Sequence, residues 1–260
     1  MGSVTSRAMP FPFVASYSAN FWPVVTRFGE AQLMLLSALA LVAWLVWLGE
    51  RRTAAIWASL VGLAVALTTT SKIAFIGWGV GVASLNFTGV SGHAMHAAAV
   101  FPLLLYCFTS ARGHRAHVLA LMLGLGIAAL VAVSRVVIGA HSPSESIAGF
   151  LVGGAASGLA VVFGRVPRRP LPHWLIGLLA AGMLLSPTAA PSLPTHDMVT
   201  HLALWVSGHE KPYTRKMMLQ RERERQKALH GLTGQTAPPL VPTPSYSASA
   251  VVFFTSSITA

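Results

Sequence analysis

The chain has 260 residues, of which 54% are hydrophobic and only 10% charged, with a mean hydropathy of +0.64 and a formal net charge of +11. Soluble domains carry about a quarter of their residues charged, so this composition excludes an ordinary water-soluble fold and points to repeated bilayer-length apolar runs. The positive balance invites a nucleic-acid partner, yet the basic residues cluster beside apolar runs and in the tail, with no recognisable nucleic-acid module. Membrane lipids with anionic headgroups are the more economical partner, and no nucleic acid is expected.

Met1 to Ala19 lacks a strong signal-peptide pattern, because Arg7 is a thin positive region and Pro10 and Pro12 break the short apolar stretch after it. Phe21-Trp22-Pro23 reads as an aromatic interface anchor. A first spanning helix is predicted from Gln32 to Leu48, closed by Glu50-Arg51-Arg52. A second runs from about Ala54 to Leu67, with an extension through Thr68-Thr69-Thr70 to Lys72. Gly77 to Gly92 reads as irregular, Gly-rich and too polar for lipid exposure. The third helix follows His93 and ends near Phe108. Its Cys107 is the single cysteine, which excludes an intramolecular disulfide and reads as a small buried hydrophobe.

After a short basic connection (Ala111 to His117), helix four covers Val118 to Val133, and a loop from Arg135 to Glu145 follows. Helix five runs from about Glu145 to Phe163, rich in the Gly and Ala that suit tight membrane packing. A sixth candidate, Trp174 to Leu185, is short for a span. Pro187 to Pro194 reads as a linker, His196 to Val206 as a short interfacial helix and Met217 to Leu229 as a solvated charged helix. The fold class is therefore all-α: a polytopic transmembrane bundle of about six helices with both termini on one side. Residues 1–27 form an N-terminal segment, 28–190 the membrane domain, 191–230 a basic, partly helical segment and 231–260 a tail of disordered composition.

The loops after helices one, three and five share one side and carry Arg51, Arg52, Arg112, Arg115, Arg165, Arg168 and Arg169 against Glu50. The opposite short loops carry only Lys72 and Arg135. The positive-inside rule then makes the first set cytoplasmic and turns the second outward. The basic tail from Lys211 to Lys227 disagrees if helix six crosses, although long tails weigh less than short loops.

The chemistry is concentrated in Ser134-Arg135-Val-Val-Ile-Gly139-Ala-His141-Ser-Pro-Ser-Glu145. His141 and Glu145 are four apart and share a face if a helix begins near Ser142 or Pro143. The carboxylate can then take the proton on one imidazole nitrogen and leave the other free as nucleophile or base. Arg135 offers a planar fork of donors to phosphate or carboxylate oxygens. Upstream, Val90-Ser91-Gly92-His93 opens a helix whose N–H groups suit an anion, with Gly92 allowing close backbone approach. Each residue alone has an ordinary explanation, as a snorkelling arginine, an interfacial histidine or a helix-end lysine. Ionisable groups at membrane depth are nevertheless costly and usually functional.

Together these residues resemble the three-part signature of the type 2 phosphatidic acid phosphatase (PAP2) superfamily of membrane phosphatases: Lys-x6-Arg-Pro, Pro-Ser-Gly-His, and Ser-Arg-x5-His-x3-Asp. The third part is kept except that Glu145 replaces Asp, and the second except that Val90 replaces Pro. In the first, Lys72 is present but Gly79 and Val80 stand where Arg and Pro fall. The resemblance covers roughly Phe28 to Arg169. It implies a lipid phosphate or pyrophosphate as substrate, a phosphohistidine formed on His141, with Glu145 holding its tautomer, and His93 as proton donor and then base. Lys72, Ser91, Gly92, Ser134 and Arg135 are the implied phosphate ligands, with no metal and no cofactor required. Arg215, in Lys211-Pro-Tyr-Thr-Arg215, is a candidate replacement for the missing arginine if the tail lies on the outer side. The alternative is a non-catalytic lipid-phosphate binder or transporter that kept part of the site.

Overall fold

Residues 21–110, 112–165, 167, 169–185 and 195–233 are described by the structure, a computed structural model. The expected N-terminal segment before residue 21, the linker Pro187 to Pro194 and the tail beyond residue 233 lie outside them. The described residues are helical apart from turns and one isolated bridge between Val82 and Phe87. After a helical stretch at 21–27 come α1 (Ala31–Trp47), α2 (Arg51–Trp78), α3 (Gly92–Phe108), α4 (His114–Val137), α5 (Pro143–Phe163), α6 (His173–Leu185), α7 (Thr195–Ser207) and α8 (Arg215–Thr233). Four helices are long and apolar enough to cross a membrane: Phe21–Trp47, which includes α1, then α2, α4 and α5. The apolar α3 is shorter.

α3 is the axis of the bundle, packed between α4 and α5. Its buried residues run almost without a break from Ala94 to Leu104. Such close packing follows from small residues on its neighbours. Gly149, Gly153, Ala156 and Ser157 on α5 face Ser91, Met95 and Ala98, and any Cβ at Gly153 would collide with the Met95 carbonyl. On the other side Gly124 lies against Pro102, where a Cβ would fall 2.7 Å from the proline nitrogen. Pro102 sits inside α3 and cannot donate to the carbonyl of Ala98. Ser157 Oγ donates to that carbonyl instead, at 2.9 Å, and Trp57 Nε1 reaches the neighbouring Ala99 carbonyl at 3.1 Å. In an apolar solvent a freed carbonyl needs such a partner.

Two helices outrun their expected ends. α2 continues from Lys72 to Trp78, because its last turn is covered: Phe75 and Ile76 pack with Ala203 of α7 and Met218 of α8. α4 continues through Arg135 to Val137, which places that arginine in a helical last turn rather than in a loop.

The chain also changes ends after α5. Leu171 N–H donates to the Cys107 carbonyl at 3.1 Å, beside the C-terminus of α3. Gly77 at the C-terminus of α2 touches Ser207 of α7, where a Cβ would stand 3.0 Å from the serine Cβ. Leu171 and Ser207 therefore lie at opposite ends of the bundle, and Leu175 of α6 joins the core that holds Trp44 and Leu45 of α1. The segment expected as an interfacial helix packs on the end of α2, and α8 sits at the end that carries Lys72 and His141.

Candidate active site

The site is assembled where α2 and α4 end and α3 and α5 begin. α4 stops in a hook: Gly139 takes a left-handed conformation (φ 71°), and the N–H groups of Ala140 and His141 donate to the Arg135 carbonyl at 3.0 and 3.1 Å. This fixes His141 over the helix end. α5 then starts in a capping box, in which Ser142 Oγ accepts from Glu145 N–H and the Glu145 carboxylate accepts from Ser142 N–H at 3.1 Å. Pro143 at the first helical position suits that start. The same carboxylate reaches His141, with Nδ1 to Oε2 at 2.7 Å. Glu145 is fully buried, whereas the His141 side chain keeps 17% exposure. His141 Nε2 makes no hydrogen bond among the described residues.

The loop before α3 is tied to this dyad. Thr88 gives Glu145 Oε1 both its N–H at 2.8 Å and its hydroxyl at 2.6 Å, and Ser91 N–H donates to the Glu145 carbonyl at 3.1 Å. Val90 N–H is taken by Ser71 Oγ of α2 at 3.0 Å. Lys72 runs along the same loop: a Cβ on Gly89 would stand 3.1 Å from its Cγ, and one on Gly92 would stand 3.7 Å from its Nζ. Gly89 has φ 146°, outside the range that a side chain readily adopts. His93 opens α3 within electrostatic reach of Arg135, His96, His141 and Lys72. Arg135 is held by Thr26, Nη1 to Oγ1 at 2.8 Å, while its buried Nε and the buried Ser91 Oγ have no protein partner. Buried donors normally have one, and both of these are able to donate to acceptor oxygens.

The structure thus gathers Lys72, Ser91, Gly92, His93, Arg135, His141 and Glu145 at one end of the bundle. Ser134 is not among them, since its buried hydroxyl donates to the Val131 carbonyl at 2.6 Å within α4. Two contributors were not named from the sequence. Thr88 carries no motif signal, and Thr26 lies 109 residues from the arginine it holds. Arg215 arrives from the C-terminal segment, with Nη2 at 2.7 and 2.8 Å from the two Glu145 oxygens and 3.1 Å from Thr88 Oγ1.

The arrangement can present one imidazole nitrogen to an electrophile while cations and unpaired donors receive negative charge. Comparison with known proteins gives the family. The family model described as the PAP2 superfamily matches residues 66–169, a range that holds all seven gathered residues and Thr88 but neither Thr26 nor Arg215. An uncharacterised 22.5 kDa protein of the cps region of Klebsiella pneumoniae is 34% identical over 201 residues, which is 75% of this chain and 95% of that protein. No solved structure matches.

Proposed function

Because the chain belongs to the PAP2 superfamily, we propose that it is an integral membrane phosphatase acting on a lipid phosphate or pyrophosphate through a phosphohistidine. The observation that carries this reading is His141, with Nδ1 bound by a buried carboxylate and Nε2 free, beside Lys72 and Arg135. In the first step Nε2 attacks phosphorus in line and the bond to the leaving oxygen breaks. His93 gives that oxygen a proton. In the second step His93 takes a proton from water, whose oxygen attacks phosphorus. The P–N bond then breaks, and inorganic phosphate leaves. Glu145 fixes the tautomer and balances the imidazolium charge. Lys72, Arg135, Ser91 Oγ and the Gly92 N–H receive the equatorial oxygens.

A lipid substrate is supported by what surrounds the site. Trp78, Val80, Val82 and Leu85 on its approach, and Leu202 and Trp205 on α7, are exposed and apolar. The test is phosphate release in detergent with chelator present, from phosphatidic acid, phosphatidylglycerol phosphate, undecaprenyl pyrophosphate and a soluble phosphomonoester. Turnover on the lipids supports the proposal. Inertness towards all four would favour a lipid-phosphate binder.

A pH profile follows from the dyad. Burial holds the His141 imidazole below its ordinary 6.5. The Glu145 hydrogen bond and charge oppose that effect, and Lys72 and Arg135 add to it. The protonated ring is no nucleophile, so a lowered pKa preserves activity as pH falls. The His141 acid limb of the kcat/KM profile, which reports the free protein, is expected below pH 6.5, and a limb above that value would contradict the burial argument.

We place the protein in a bacterial inner membrane with the site facing outward. The far-end loops hold seven arginines against Glu50, and the first basic residue of the tail, Lys211, lies 26 residues (211 − 185) beyond the end of α6, past the range in which charges orient a span. Cys107 is buried, so cysteines introduced elsewhere report alone. In intact cells, an impermeant maleimide is expected to label Glu222→Cys and to spare Arg52→Cys. The reverse pattern would invert the topology.

A further inference from the structure

This chain departs from its family's pattern at two charged positions, with Gly79 where an arginine falls and Glu145 where an aspartate falls. The C-terminal segment connects them. Gly79 caps α2 in the left-handed conformation (φ 72°), and a Cβ there would stand 2.9 Å from the Tyr213 ring. Tyr213 thus fills the space beside that cap. Its N–H donates to the Ile76 carbonyl at 2.8 Å, and its ring meets Phe75 edge-on at 5.5 Å. Met218 completes the anchor in the cluster of Phe75, Ile76 and Ala203. Two residues past Tyr213, the fixed chain delivers Arg215 to Glu145.

We propose that Arg215 is a positioning residue that locks the Glu145 carboxylate against His141, which makes the chain's C-terminal helices a working part of the active site. The reasoning starts from the extra methylene of glutamate, which adds a torsion between backbone and carboxylate. Here that freedom is removed by donors from three places. Oε1 accepts from Thr88 twice and Oε2 from His141 and Ser142, while Arg215 Nη2 lies across both oxygens. A charge-assisted contact of this kind to a fully buried carboxylate is directional and strong. The aspartate-to-glutamate exchange and the arginine brought by the tail therefore act as one unit. Around His141 the charged or titratable groups are Lys72 from α2, His93 from α3, Arg135 from α4, Glu145 from α5 and Arg215 from α8.

The inference rests on the phosphatase reading, but its first readout does not need turnover. The full chain, labelled at histidine, is titrated by NMR in micelles, with the His141 signal identified by its loss in His141→Asn. Arg215→Gln releases the Glu145 carboxylate and weakens the hydrogen bond that raises the His141 pKa, so the titration is expected to move downwards; a rise would mark loss of charge alone and overturn the proposal. Turnover should fall by about 10–100-fold through loss of alignment, with the Ki of inorganic phosphate unchanged. Arg215→Lys keeps the charge, but its shorter side chain does not carry a nitrogen to the place of Nη2 across the two oxygens, so kcat should stay reduced. Thermal unfolding of each variant identifies misfolding, and if the glutamine variant does not fold, the lysine variant decides by its kcat. An unmoved His141 titration in Arg215→Gln, or full kcat in Arg215→Lys, overturns the proposal. So does a weakened phosphate Ki with unmoved titration, which would make Arg215 a substrate ligand. Absence of wild-type turnover would instead count against the phosphatase reading, and the titration would still report on Arg215.

Discussion

Replacing His141 with alanine is expected to reduce phosphate release by about 10⁴-fold or more. Its ring is oriented by Glu145, at 2.7 Å from Nδ1, and Nε2 has no hydrogen-bond partner among the described residues. Three of its neighbours are poorly suited to inherit the role. Ser91 Oγ is buried with no basic partner to activate it, and Lys72 and Arg135 are cations placed to bind oxygen. The helix start also depends little on the ring, because the capping box is made by Ser142 and Glu145. The variant should therefore fold and bind inorganic phosphate while forming no acid-labile phosphoenzyme. Radiolabelled substrate followed by rapid quenching checks this. Near-wild-type turnover in His141→Ala would remove the proposed mechanism altogether.

The second large effect is expected at His93, in a different form. His93→Ala should lower kcat by about 10²–10⁴-fold, with the loss graded by leaving group. A lipid alkoxide leaves poorly and needs its proton, whereas a nitrophenolate does not. The variant should thus retain more activity on p-nitrophenyl phosphate than on a lipid phosphate, and the second step, which still needs a base, should let phosphoenzyme accumulate. Equal losses on both substrates, with no trapped intermediate, would show that His93 only positions phosphate.

Much of this site is legible in the sequence because its parts are local. The four-residue spacing of His141 and Glu145, with Ser142 and Pro143 before the helix, dictates the dyad through a capping box that any reader of helix starts can anticipate. The spans are equally plain, since apolar runs of bilayer length have one inexpensive conformation in lipid. What escapes is the non-local part. Lys72 reads as a helix end because four polar residues precede it, and only the covering of Phe75 and Ile76 by Ala203 and Met218 lets α2 run on to Trp78. Ser134 belongs to the signature by spacing, yet its hydroxyl turns back to its own helix. Thr88 and Arg215 meet across 127 residues, a distance at which spacing carries no information. Arg215 could be suspected only from the gap at Gly79.

The order in which this chain is made gives the Arg215–Glu145 contact a further meaning. Synthesis runs from the N-terminus, so α5 enters the bilayer when the residues that become α8 are still to come, 70 positions later. During that interval the buried glutamate has Thr88, Ser142 and His141 as partners and no arginine. A carboxylate at membrane depth is tolerated only with such support, so the local box steadies Glu145 before Arg215 reaches it. α8 then brings Arg215 to the carboxylate, so the cluster around Glu145 is completed only after that helix has been made.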